Sequence, residues 1–173
     1  TGSIVLDREN GKAYCALSPR ADEELFIEFC EDFEYNPILF EAFQTVGTER
    51  KLIYHTNVMM SVGETFAIIC AESIDDKKER KIVLDSLRGD EKEIILITED
   101  QVNNFAGNML EVKGFDDKRY LVMSTSAYNS LTKKQIAQIE EHVTILSSSL
   151  DTIEACGGGS ARCMMAEIFL PKK

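Results

Sequence analysis

The chain repeats itself, and this constrains its fold more than any other feature. Three segments of roughly fifty residues follow the same order of patterning: hairpin, helix, strand. Ser3, Asn57, Asn108 and Cys163 fall at equivalent places in that order, each just before a short apolar run, with spacings of 54, 51 and 55 residues. A single ββαβ unit cannot bury its own apolar faces, so successive units must cover one another. Units set around a common axis bring equivalent positions together on that axis. This predicts an α/β protein of ββαβ units, with repeats over residues 2–47, 52–98 and 102–150 and a closing hairpin over 151–171. No low-complexity stretch or linker interrupts the series, so residues 1–173 read as one domain.

Local signals support each unit. In the first, Ile4 to Leu6 and Ala13 to Leu17 flank a Glu9-Asn10-Gly11 turn. "ADEELFIEFCEDF" places Leu25, Phe26, Phe29, Cys30 and Phe33 on one helical face, and "NPILFEAF" reads as the following strand. In the second, "YHTNVMMSVGETFAIICAES" holds two strands about Gly63-Glu64. "DDKKERKIVLDSLRGD" is an amphipathic helix with Asp75 or Asp76 as N-cap and Gly89 as a stop, and "KEIILIT" is an apolar strand. In the third, "GNMLEV" and "RYLVMS" precede the helix "TKKQIAQIEEHV", where Thr132 and Gln135 have capping-box spacing, and a strand near "VTILSS" closes the unit. The tail, "DTIEA" then three glycines then "ARCMMAEIFL", reads as a further hairpin.

Bulk properties exclude several classes. A chain of 173 residues, 44% hydrophobic, can build a real core. Its formal net charge of −11 argues against nucleic acid or an anionic membrane surface as the main partner. No apolar run is long enough to span a bilayer, and no basic-then-apolar leader opens the sequence. Five cysteines, an odd count with no C-x-x-C pair, point to free thiols in a reducing, cytoplasmic compartment. With only two histidines, a His/Cys zinc site is not expected.

"YHTNVMMS", "FAGNML" and "GGGSARCMMAEIFLP" resemble the amidinotransferase-type, guanidino-group-modifying enzymes. The nearest likeness is to the citrulline utilization hydrolase group. Arginine deiminase and dimethylargininase are more distant. The resemblance covers essentially the whole chain and implies the pentein fold, a pseudo-fivefold α/β propeller of ββαβ units. Three units and a closing hairpin would then be the C-terminal part of a larger pentein. In that family an acidic residue ahead of the segment matching "TGS" orients the catalytic histidine, and this sequence begins at Thr1.

The resemblance assigns roles residue by residue. Cys163 is the candidate nucleophile: attack on the planar, weakly electrophilic carbon of a guanidino or ureido group needs a soft anion, which a thiolate supplies better than a hydroxyl. Gly157, Gly158 and Gly159 would let the backbone bend and a substrate approach. A buried core cysteine beside a bulge is the competing account. Arg162 is expected on the opposite face of the Cys163 strand. His55 is the candidate general acid and base. His142, beside Glu140 and Glu141, reads as a solvated surface residue. Asn57 stands where arginine deiminase-like relatives carry an aspartate that grips a guanidinium. An amide can both donate and accept, which suits a neutral ureido group better than a cation. Arg20, in "LSPRAD", resembles an S-x-R motif that holds a substrate α-carboxylate, and a surface arginine fits equally well. Asn108, with Phe105 and Gly107, would line the site or serve as a structural asparagine. Met59, Met60, Met164 and Met165 read as core.

These roles predict a cysteine-dependent hydrolase of a ureido or guanidino amino acid, with citrulline converted to ornithine, carbon dioxide and ammonia and with no metal or organic cofactor. Two alternatives stay open: an arginine deiminase or amidinotransferase, and a non-catalytic pentein used as a binding module. The partner is a small-molecule amino acid. A homo-oligomer, or pairing with a missing N-terminal part, is also open.

Overall fold

Three sheets carry the expected order of elements, and a fourth was not foreseen. The structure, a computed structural model, describes residues 2–115 and 117–168. Strands β1 (Ile4–Asp7) and β2 (Lys12–Leu17) form an antiparallel hairpin, helix α1 (Glu23–Asp32) crosses over, and β3 (Asn36–Glu41) returns parallel to β2. Strands β4 (Phe43–Val46) and β5 (Glu49–Leu52) make a separate hairpin. The pattern resumes with β6 (Met60–Val62), β7 (Phe66–Ile69), α2 (Lys77–Gly89) and β8 (Glu93–Leu96), where β8 is parallel to β7. A short helix α3 (Glu99–Asn103) leads to β9 (Leu110–Lys113) and β10 (Arg119–Ser124). Helices α4 (Thr125–Ser130) and α5 (Lys133–Glu140) then cross to β11 (Thr144–Ser148), parallel to β10. Helix α6 (Asp151–Gly157) and a 3-10 turn, Ala161–Met164, follow. Among the described residues no sheet closes into a barrel.

Alternation along the strands distributes side chains to two cores. On β2, Tyr14 and Ala16 enter the main core, while Ala13 and Cys15 face the other way against Phe26 and Cys30 of α1. Strand β7 is buried along its whole length on both faces. The helices bridge units: α2 packs on β3 as well as β8, and α5 on β8 as well as β11. Val83 and Leu87 on α2 and Ile139 on α5 are fully buried in the main core. Each such side chain contributes about 1.5–3 kcal/mol of burial. Strand β1 lies against β6, and β6 against β9, so the first strands of the three sheets are neighbours in space.

Capping chemistry sets the helix starts. Asp22 accepts from Leu25 N, and Asp76, not Asp75, accepts from Lys78 N and Glu79 N. Asp75 instead pairs with Arg50 at 2.5 Å. The Thr132–Gln135 capping box is formed, and a second one, Thr98–Gln101, starts α3.

Several expectations fail. "DTIEA" is helical, "ARCM" is a 3-10 turn and residues 165–168 have no regular structure, so the described part of 151–171 is not a hairpin. The end of that segment lies outside the described residues. A strand needs a ladder partner, and this segment has none among the described residues. Met164 and Met165 are consequently 49% and 37% exposed rather than core, whereas Met59 and Met60 are buried. On α1 only Phe26 and Cys30 are buried; Leu25 and Phe33 face outward. His142 is not a solvated residue: its ring is held between Thr65 Oγ1 at 2.7 Å and Glu93 Oε2 at 2.9 Å.

Candidate active site

The glycines before Cys163 have two distinct reasons. Gly158 ends α6 in the left-handed conformation, φ +65°, with its N–H donating to Glu154 O. Gly159 meets the sulfur directly: a Cβ there would stand 3.3 Å from Cys163 Sγ and 3.2 Å from its Cβ. At Gly157 an added Cβ meets nothing within 4 Å, so that glycine is not required by contact. The 3-10 turn is closed by Cys163 N donating to Ser160 O at 3.1 Å. Cys163 is an exposed free thiol. Cys15, Cys30 and Cys70 are buried, and burial raises all three, Cys15 to about 11.

The segment after β5 carries the histidine. Ile53 is fully buried and its N–H donates to Ala42 O. Two residues on, His55 stands in extended backbone, φ −141°, ahead of a 3-10 turn, Thr56–Val58. The buried hydroxyl of Thr56 anchors this turn, accepting from Ala16 N at 2.8 Å and donating to Ser3 O at 2.5 Å. The Tyr54 ring lies 4.9 Å from the His55 ring, and its hydroxyl donates to Gly158 O at 3.4 Å. One phenol thus links the histidine segment to the glycine loop. Burial, and behind it the positive charge of Arg20, holds the His55 imidazole below the usual histidine range. The neutral form, able to accept a proton, therefore dominates at neutral pH.

Two amides converge on the sulfur. Asn108 Nδ2 lies 3.3 Å from Cys163 Sγ and also donates to Asn57 O at 3.1 Å. Asn57 Nδ2 lies 3.9 Å from the same sulfur. Both asparagines are 3% exposed. The Asn108 amide faces the sulfur with both its atoms, since Cys163 Sγ also lies 3.5 Å from Asn108 Oδ1. With Nδ2 turned to the sulfur, Asn57 Oδ1 is buried without a hydrogen-bond partner among the described residues. Of the four equivalent positions, Asn57, Asn108 and Cys163 meet through side chains. Ser3 joins only through its backbone, since its hydroxyl donates to Arg20 O.

His55, Asn57 and Cys163 line two clefts in common. One, of about 370 Å³, adds Arg20, Gln44, Tyr54, Phe105 and Asn108. Here the Arg20 guanidinium sits 5.8 Å from the Tyr54 ring centroid and has no carboxylate partner among the described residues. The other, of about 610 Å³, adds Ile4, Leu6, Phe29, Arg8 and Arg162. Arg162 therefore shares a cleft with Cys163 instead of facing away, because the turn replaces the expected strand. The structure thus brings together His55, Asn57, Asn108, Arg20 and Cys163. Sequence reasoning missed Tyr54 and Gln44. Tyr54 carried a signal, an aromatic directly before the histidine; Gln44 sits on the unforeseen β4–β5 hairpin. Among the described residues no cluster of three His, Cys, Asp or Glu side chains has metal-binding geometry.

The fold has solved relatives. A complex of AgrE with ornithine and NAD+ is similar at a TM-score of 0.71 and 15% identity, over 99% of this chain and 23% of that one. ArgZ, an arginine dihydrolase from the ornithine-ammonia cycle in cyanobacteria, is similar in its apo form at a TM-score of 0.69 and 14% identity, over 94% of this chain and 23% of that one. The N-terminal domain of ArgZ bound to product gives a TM-score of 0.69 at 14% identity, over 94% of this chain and 53% of that one. The chain therefore spans about a quarter of the longer relatives and about half of that domain. No curated protein matches it in sequence. Residues 1–170 match the family described as N,N dimethylarginine dimethylhydrolase, eukaryotic. The chain belongs to that family, within the pentein superfamily of amidinotransferase-type enzymes.

Proposed function

We propose that the chain carries the nucleophile and the histidine of a cysteine-dependent hydrolase acting on the ureido or guanidino group of an amino acid. The observation that carries this is the sulfur of Cys163, set under the amides of Asn57 and Asn108 and opening on the same clefts as His55. The thiolate attacks the planar carbon and forms an Sγ–C bond. His55, neutral at rest, takes the thiol proton as the thiolate forms and delivers it to the departing amine as the C–N bond breaks. Neutral His55 then takes a proton from water, the water oxygen bonds to the carbon, and the sulfur leaves as thiolate. With citrulline the first product is ornithine, and the S-carbamoyl intermediate hydrolyses to carbamate and so to carbon dioxide and ammonia. Arg20 pairs with the substrate α-carboxylate from the smaller cleft.

Citrulline is the leading substrate because Asn57 brings no charge to the site. Arginine and its methylated forms are the competitors, and one observation favours them: the free atom of Asn57 is an acceptor, Oδ1, suited to an N–H rather than to a ureido oxygen. The test is an incubation of the full polypeptide with citrulline, arginine and N,N-dimethylarginine, followed by acid quench and peptide mass spectrometry. A covalent adduct on Cys163 with citrulline supports the proposal. An adduct with arginine alone makes the protein a deiminase. No adduct with any of them, together with equal labelling of Cys163 and Cys156 by iodoacetamide, supports a binding module.

A further inference from the structure

We propose that Glu154 is a positioning residue for Cys163, its buried carboxylate fixing the turn that holds the sulfur under the two asparagine amides. This rests on Cys163 being the nucleophile. Glu154 is 8% exposed, and carboxylates are seldom this buried without a cationic partner. Among the described residues it forms no ion pair. Its two oxygens are instead held by hydroxyls: Ser160 Oγ donates to Oε1 at 2.6 Å, and Ser126 Oγ donates to Oε2 at 2.8 Å.

The two hydroxyls lie on different parts of the fold. Ser126 belongs to α4, which follows β10 directly and is capped by Ser124 accepting from Ala127 N. Ser160 is fully buried, and its carbonyl receives the N–H of Cys163. Glu154 also receives the N–H of Gly158 on its backbone carbonyl. One residue therefore holds the glycine loop at both ends, at Gly158 and at Ser160, and ties it to the third unit. Gly159, between those two points, is where an added Cβ would stand 3.3 Å from the sulfur. The glycines add no side-chain contact of their own, since an added Cβ at Gly157 or Gly158 would meet no neighbour, so the loop is held through its backbone, by Glu154 and by the Tyr54 hydroxyl on Gly158 O. An acceptor-only group taking two O–H donors specifies direction at both, which an apolar residue at this position could not.

The five cysteines supply their own control. Iodoacetamide alkylation of each thiol in the full polypeptide is followed by peptide mass spectrometry at neutral pH. In wild type, Cys163 reacts faster than Cys156. In Glu154→Ala and Ser160→Ala its rate falls about tenfold, the scale expected when a reacting group is displaced by about an ångström. Cys156 and the three buried thiols keep their rates. Glu154→Gln, which can still accept one hydroxyl, restores most of the loss. Two results overturn the proposal: an unchanged Cys163 rate in folded Glu154→Ala or Ser160→Ala, or a rise of all five thiols together, which marks general loosening. If Glu154→Ala fails to fold, Ser160→Ala, which removes a single hydroxyl, decides. A wild-type Cys163 no faster than Cys156 instead strikes at the proposed function itself.

Discussion

The side-chain amide of Asn108 donates both to the sulfur of Cys163, at 3.3 Å, and to the carbonyl of Asn57, at 3.1 Å, so one group joins three repeat-equivalent positions. Its removal has two separable effects. Asn108→Ala leaves the Asn57 carbonyl without its donor, which costs about 1–2 kcal/mol of stability in urea unfolding. The same variant slows alkylation of Cys163 at neutral pH while Cys156 is unaffected. Equal rates at Cys163 in wild type and variant would show that the amide does not serve the sulfur.

Asn57→Asp tests charge at the second amide. A carboxylate 3.9 Å from the sulfur opposes the thiolate and attracts a cation. Slower alkylation of Cys163 is expected, with adduct formation shifted from citrulline towards arginine. Faster alkylation would contradict the placement of Asn57 beside the nucleophile.

The pH response of His55 has a defined sign. Its folded-state proton affinity is depressed, first by burial and then by Arg20, so the unfolded chain binds the proton more readily. The contribution to stability is present above the ordinary histidine value and is lost as pH falls through the depressed one. Wild type should therefore lose more stability than His55→Gln between neutral pH and pH of about 5. Arg20→Gln should move the His55 titration upward by NMR; a downward movement would rule out the charge effect.

Asp7 and Lys92 form a pair with side chains 2% and 0% exposed, 3.0 Å apart. Lys92 also donates to the carbonyls of Gly63 and Glu64. Lys92→Met strands a buried carboxylate and should cost about 3–5 kcal/mol in urea unfolding. Adding Asp7→Asn, which keeps an acceptor for Asn10, should recover part of that loss. A double variant less stable than Lys92→Met would show that the two side chains are not coupled.

Glu34 and Glu91 are exposed and sit just past α1 and α2 with φ of +58° and +57°. Left-handed backbone is unfavourable for a residue with a Cβ. Glycine relieves this but gains unfolded-chain entropy, so Glu34→Gly and Glu91→Gly should each stabilise by about 0.5 kcal/mol. A lower melting temperature in both would show that the strain is absent.

Elements long enough to show a period were legible in the residues. The helix over 77–89 repeats its apolar positions and carries its own cap, and Ile4 to Leu17 announces a hairpin about Asn10-Gly11. The β4–β5 hairpin was not legible because its strands are largely exposed and polar, so no alternation marks them. Helices α3 and α4 are shorter than two turns, too short for a period to register. The hairpin expected over 151–171 followed from the repeat order, and Asp151–Gly157 is helical instead.

The order of the hairpin, long helix and returning strand in each unit, the Thr132–Gln135 cap and the even spacing of Asn57, Asn108 and Cys163 were determined by sequence alone, because each depends on neighbours within a few residues or on repetition. Only the tertiary structure decided which way the amides point, that His142 is tied to Glu93, and that Glu154 reaches Ser126 on another helix. Those contacts join atoms far apart along the chain, and their distances are set by how the units pack, which no local pattern encodes.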